Sequence, residues 1–182
     1  DKFKLVYLRP PTRADLQRVR KAYEDAGFLG CMGCVDCSHW KWESCPVAQH
    51  GQYQGTSWTR TVEMETVANM DLHLSHCFVG MPGPMNDLNV MAFSPLFQSM
   101  IAGAFPPLIT CTVNGVERTV PYFLCDGLYP EHAVLIDASN GGEEKEKLSA
   151  SRQEGRRKDA EHVYAVLFTQ WQILARPSHV RD

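Results

Sequence analysis

Apolar runs that end on acidic residues punctuate this sequence. Phe28 to Val35 carries no charge and stops at Asp36, and Val120 to Cys125 is likewise uncharged and stops at Asp126. Short unbroken apolar runs of this kind predict buried strands, each delivering a carboxylate. Between them, Val62, Met64, Thr66 and Ala68 alternate with Glu63 and Glu65, Asn69-Met70-Asp71 supplies a turn, and Leu72 to Val79 completes a predicted hairpin. Gly80-Met81-Pro82-Gly83-Pro84 breaks that hairpin, and Asn114-Gly115 between two β-rich runs predicts a second one.

Helical spacing appears in three places. Leu16, Val19 and Tyr23 predict a helix from about Ala14 to Ala26, with Thr12 and Asp15 as a loose capping box and Gly27 as its end. Asp87 opens a short helical stretch through Val90, Met91 and Phe93. A long helical pattern runs from Glu143 to about Ala175, with a break expected near Gly155 and an apolar stripe of Val163, Val166, Leu167 and Gln170-Trp171. Phe3, Leu5, Val6 and Leu8 form an apolar opening stopped by Pro10-Pro11, and the aperiodic segment from Ser38 to Thr59 reads as a long loop. Strand, hairpin, strand and helix in this order predict an α/β fold, a mixed sheet flanked by helices. One domain is expected, with residues 1–27 as a helical lead-in and 28–182 as the core.

Composition changes this picture little. The 182 residues are 44% hydrophobic and 21% charged, an ordinary globular balance, and no apolar stretch approaches the roughly 20 residues of a membrane span. The formal net charge of -3 excludes a chain that is basic throughout. Charge is patterned locally, however: Arg152, Arg156, Arg157 and Lys158 crowd one segment, readable as a solvated helix face or as a face that tracks phosphates. The chain begins at Asp1 with neither an initiator Met nor a visible leader, so a fragment or a processed, non-secreted protein is expected. Seven cysteines, an odd number, fit a reducing compartment better than a disulfide framework.

Asp36, Asp126 and Glu161 are the residues with candidate chemistry. Carboxylates at the ends of two strands and on a helix packed across them can converge on hard divalent cations, which take oxygen ligands and serve phosphodiester cleavage in pairs. Each has an ordinary alternative as a loop or cap partner, and for Glu161 that alternative is a surface pair with a nearby Arg or Lys. Cys31, Cys34, Cys37 and Cys45, followed by Pro46, present thiols at spacings that suggest iron–sulfur binding, and two of them with His39 suggest zinc. Seven residues separate the last two cysteines, unlike the ferredoxin run, and strand alternation is expected to send Cys31 and Cys34 to opposite faces, so a structural role is expected for the cluster.

Several blocks, in order, resemble the DDE transposases of the Harbinger type, including the plant transposon proteins. They are Gly-Cys-Val-Asp-Cys-Ser-His-Trp-Lys-Trp at 33–42 with Cys45-Pro46, Gly51-Gln52-Tyr53, and Asn86-Asp87-Leu88-Asn89-Val90 with Ser94-Pro95-Leu96-Phe97. Tyr122-Phe123-Leu124-Cys125-Asp126-Gly127-Leu128-Tyr129-Pro130 and Arg157-Lys158-Asp159-Ala160-Glu161 leading into Val166-Leu167 complete the set. The resemblance spans about Gly27 to Val180 and implies a ribonuclease-H-like fold with Asp36, Asp126 and Glu161 as catalytic, metal-holding carboxylates. It carries Asp87 as an auxiliary metal ligand, against a helix N-cap as the plain alternative. His39, Trp40 and Trp42 match the loop after the first catalytic strand, where they either contact DNA or pack that loop. The implied cofactor is Mg²⁺ or Mn²⁺ in a two-metal site, and the implied partners are transposon-end or target DNA, a separate Myb-like DNA-binding protein and a second copy of the chain. A nuclear location follows from the resemblance, and a cytoplasmic one without it. The competing readings are a domesticated, non-cleaving DNA-binding or scaffold protein of the same fold, and a cysteine-based zinc or iron–sulfur protein.

Overall fold

The first helix starts where its capping chemistry places it. Thr12 Oγ1 accepts from the Asp15 backbone N–H while the Asp15 carboxylate accepts from that of Thr12, and α1 runs Arg13–Asp25. In the computed structural model, the described residues are 9, 11–55, 58–104, 110–113, 115–118, 121–127, 129, 134–137 and 144–180. The apolar opening at 3–8, Asn114, Val120, Gly141 and Gly142 lie outside them.

Five strands form one mixed sheet, consistent with a ribonuclease-H-like arrangement. β1 (Cys31–Lys41) pairs antiparallel with β2 (Thr61–Ala68), which pairs antiparallel with β3 (Leu74–Pro82). On its other side β1 runs parallel to β6 (Tyr122–Leu124), and β6 to β7 (Leu135–Ile136). The expected hairpin therefore extends the sheet from the first strand, and the strands bearing Asp36 and Asp126 are neighbours. The Asn69 side chain accepts from the backbone N–H groups of Asp71 and His73, and this turn delays β3 to Leu74. β4 (Cys111–Val113) and β5 (Val116–Arg118) form a separate two-stranded hairpin in the register that a two-residue Asn114-Gly115 connection requires.

Two boundaries differ from expectation. β1 does not end at Asp36 but continues to Lys41, because β2 pairs with it residue by residue as far as Lys41↔Thr61. The expected loop from Ser38 thus begins as strand, and further on it holds a short helix, α2 (His50–Tyr53). The long helix α5 (Glu144–Gln170) passes through Gly155 unbroken and stops instead at Trp171, before α6 (Gln172–Ala175).

Each face of the sheet carries its own helices. Val35, Val67 and Phe123 bury one face against α3 (Asp87–Phe93) and α4 (Pro95–Ile101), through Met91, Leu96, Phe97 and Met100. Their strand neighbours Cys34, Ala68 and Leu124 bury the other against Ala160 and Val163 of α5. α1 contributes Leu16 to the first cluster and Val19 and Tyr23 to the second. The alternation read along β2 holds, yet its glutamate face is the fully buried one: Glu63 and Glu65 are 1% and 0% exposed. Ser94 Oγ donates to Glu65 Oε1 at 2.5 Å, and His76 Nε2 lies 3.2 Å from the same oxygen.

Cys31 and Cys34 do not face opposite ways. From the Cys31–Tyr122 pair to the Cys34–Leu124 pair, β1 advances three positions while β6 advances two, so the strand bulges and its side-chain parity shifts by one. Both thiols consequently enter the α5-side cluster. The bulge needs Gly33, which has φ +151° and whose absent Cβ would sit 2.8 Å from the Ala68 carbonyl oxygen. Gly33→Ala is expected to destabilise the fold by about 2 kcal/mol or more, whereas Gly155→Ala, on an open helical surface, should stabilise it by about 0.5–1 kcal/mol. Thermal or denaturant unfolding of the two variants beside wild type checks the opposite signs.

Candidate active site

Beyond the bulge, ordinary alternation places Asp36 on the same face as Cys34, beneath α5. Cys34 pairs with Leu124 across the parallel strands, and Asp36 and Asp126 each lie two residues further on. α5 is fixed over this point by two polar contacts from β1. The Cys34 thiol donates to the Arg156 carbonyl at 3.1 Å, and the Tyr164 hydroxyl donates to the Asp36 carbonyl at 2.9 Å while accepting from Thr66 Oγ1 at 2.8 Å. Arg157 and Glu161 sit between these two anchors. Asp126, Arg157 and Glu154 line an open cleft of about 450 Å³, whose wall also includes Lys147 and Ser151.

Asp36 is half-buried, and its carboxyl is pushed up to about 6. Burial is the main cause; the Arg157 guanidinium and the Cys37 backbone N–H oppose it, and the charges of Asp126 and Glu161 add to it. The three sequence-predicted carboxylates are therefore within electrostatic reach of one another. Glu161 nevertheless takes the ordinary partner foreseen for it: its Oε1 lies 3.0 Å from Arg157 Nη2, and the side chain is 47% exposed. Arg157 also pairs with Glu154, at 2.8 Å through Nη2 and 3.3 Å through Nε. Among the described residues no group of three or more His, Cys, Asp or Glu is arranged to hold a metal ion.

As a donor set, Asp36, Asp126 and Glu161 fit a hard divalent cation. They offer only carboxylate oxygens, the ligand type that a hard divalent cation takes.

Asp87 does not share this face. It opens α3, which packs on the opposite side of the sheet, and the residue capping that helix is Asn86, whose side chain accepts from the Asn89 N–H. The side chain of Asp87 lies outside the described residues. The cysteines do not converge: Cys31 and Cys34 face α5, whereas Cys37 packs against the other cluster, its thiol 3.2 Å from the Tyr129 hydroxyl. Burial raises the Cys34 thiol to about 12, so it is held as a neutral donor. Trp40 and Trp42 serve packing, donating their indole N–H groups to the carbonyls of Arg176 and Val180 and holding the chain's last described residues beside β1.

Sequence reasoning missed two residues here. Tyr164 lies one residue past Val163 in the helical stripe, but nothing in its spacing shows that its hydroxyl reaches across two strands. Asp137 directly follows β7, one position beyond the Leu124–Ile136 pair, and its carboxylate adds to the upward shift of the Cys125 thiol. Its signal, an apolar Leu135-Ile136 pair ending on Asp, was the one that singled out Asp36 and Asp126.

Comparison with protein families settles the kinship: the model of the plant transposon proteins matches residues 5–182. The chain belongs to that family. Comparison with curated proteins and with solved structures returned no match. Membership in the plant transposon proteins makes a transposase-related function the frame for this site. No helix among the described residues is long and apolar enough to cross a membrane.

The Asp36 shift has a consequence for stability of this plant transposon protein. Its folded-state value lies above the unperturbed 3.8, so the folded chain binds the proton more tightly than the unfolded one, and ionising Asp36 costs stability. That cost develops as pH rises from about 4 to about 6 and persists above. Asp36→Asn should therefore stabilise the cation-free protein by about 1–3 kcal/mol at pH 7.5 and leave it nearly unchanged at pH 4. Denaturant unfolding at both pH values measures this, and an equal effect at both would contradict it.

Proposed function

We propose that this chain is the catalytic core of a Harbinger-type DDE transposase, a DNA endonuclease dependent on Mg²⁺ or Mn²⁺ that hydrolyses phosphodiester bonds and joins strands. The observation that carries the reading is the placement of Asp36 and Asp126 at matched positions on adjacent parallel strands beneath the helix that bears Glu161, in a plant transposon protein.

In this reading Asp36, Asp126 and Glu161 would hold the cations. When bound, such cations activate the attacking water or 3′-hydroxyl and stabilise the departing oxygen. The chain itself supplies position: the Cys34 and Tyr164 contacts fix α5 in register with β1, so that Glu161 stays over Asp36. Lys147 and Ser151 on the wall of the cleft beside Asp126 would orient the phosphate backbone of the DNA strand. The DNA is a transposon end or target, a separate Myb-like protein supplies sequence recognition, and the site of action is the nucleus.

The second reading, a non-cleaving DNA-binding protein of the same fold, draws on the Arg157–Glu161 pair, which occupies one of the three carboxylates. A nicking assay on supercoiled plasmid with Mn²⁺ separates the two. Wild-type protein is expected to nick, and Glu161→Gln to lose at least about 10²-fold of that activity while melting within a degree or two of wild type, because a neutral amide is a poor ligand for a hard cation and the side chain is half exposed. Retained nicking by Glu161→Gln would remove Glu161 from the site, and a wild-type protein that binds DNA without cutting would favour the second reading.

A further inference from the structure

Glu154, Arg157 and Glu161 lie in one row on α5 at spacings of three and four residues, so both glutamates reach the same guanidinium. The Arg157 side chain is only 16% exposed. Its Nη2 is shared between Glu154 at 2.8 Å and Glu161 at 3.0 Å, while Nε makes a second contact to Glu154 at 3.3 Å. Glu154 is thus held at two points and Glu161 at one. Arg157 also lines the cleft beside Asp126, and its charge bears on Asp36. It is a largely buried positive charge paired to Glu161 and Glu154, placed where a divalent cation would otherwise neutralise them.

Building on the metal-dependent reading above, we propose that Arg157 is an exchangeable countercation. It holds Glu161 while the site lacks metal, and it yields that carboxylate to a divalent cation bound by Asp36 and Asp126 while remaining seated on Glu154. The geometry makes the exchange inexpensive. Losing the single Glu161 contact leaves the two-point Glu154 pair intact, so no largely buried guanidinium is stranded. The same geometry explains why α5 carries a glutamate on each side of Arg157: one is the seat that is kept, and the other is the ligand that is released. Arg157 is then a positioning residue that sets the affinity of the site.

Isothermal titration of Mn²⁺ into wild type, Arg157→Gln and Glu154→Gln tests this without any measure of cleavage. Arg157→Gln removes a unit charge beside the entering cation and a competitor for Glu161, and is expected to tighten Mn²⁺ binding about tenfold or more. Glu154→Gln removes the retained seat, so that Arg157 clings to Glu161, and is expected to weaken binding about threefold to tenfold. Melting temperatures give an independent readout. Without metal Arg157→Gln should melt below wild type, and saturating Mn²⁺ should raise its melting temperature by more than it raises that of wild type. Glu154 is 46% exposed, so its variant reads the proposal even where Arg157→Gln fails to fold. Unchanged or weaker binding by Arg157→Gln, or no effect of Glu154→Gln, overturns the exchange. Absence of Mn²⁺ binding in wild type and Arg157→Gln alike overturns the metal-dependent reading itself, whereas wild-type binding indifferent to both substitutions overturns the exchange alone.

Discussion

The candidate site depends on how one long helix is seated on one strand. Hydrophobic contacts of Ala160 and Val163 with Cys34, Ala68 and Leu124 supply most of the attraction, but apolar packing alone would tolerate small slides of α5 along the sheet. Two directional contacts remove that freedom. A buried thiol donates to the Arg156 carbonyl, and a buried hydroxyl bridges Asp36, on β1, to Thr66, on β2. Losing either would leave buried polar groups unsatisfied, at roughly 1–3 kcal/mol each, enough to fix a register that van der Waals contact leaves soft. Because Arg157 and Glu161 lie between the two contacts, their placement over Asp36 follows from the seating.

The opposite face uses the same device. Ser94 precedes Pro95 at the start of α4, yet it makes no capping bond; its hydroxyl is spent on the fully buried Glu65, which also faces His76. Each helical layer is thus attached to the sheet by a buried polar contact set within apolar surroundings. Such contacts add specificity of packing more than net stability, since a charge brought out of water must first recover its desolvation cost. Cys37 extends the pattern by linking β1 to Tyr129, joining the two sequence blocks that contain Asp36 and Asp126.

Electrostatics gives the α5 face its character. Asp36 is raised mainly by burial, with Asp126 and Glu161 adding to the shift and Arg157 and the Cys37 backbone N–H opposing it. Kinship with the plant transposon proteins gives this arrangement a transposase-related context, and the carboxylate geometry gives that context specific residues to examine.

Much of the fold was legible in the residues because local chemistry and periodicity act over a few positions. The Thr12–Asp15 cap, the turn at Asn69 and the Asn114-Gly115 connection are each decided by neighbours in the chain, and two uncharged runs ending on Asp identify the parallel pair at the centre of the sheet. What depended on a partner distant in sequence was not legible. The extension of β1 to Lys41 depends on β2, and the parity of Cys31 and Cys34 depends on a bulge that appears only when four residues of β1 lie against three of β6. The burial of Glu63 and Glu65 rather than Val62 and Met64 is likewise decided by which helices cover which face. At the site, the sequence by itself determined that carboxylates follow two uncharged runs and lie on one helix. Only the tertiary structure decided that α5 is held by Tyr164 and Cys34, and that the Arg157 charge bears on Asp36, because a contact between residues 128 apart, such as Tyr164 and Asp36, leaves no periodic trace in the chain.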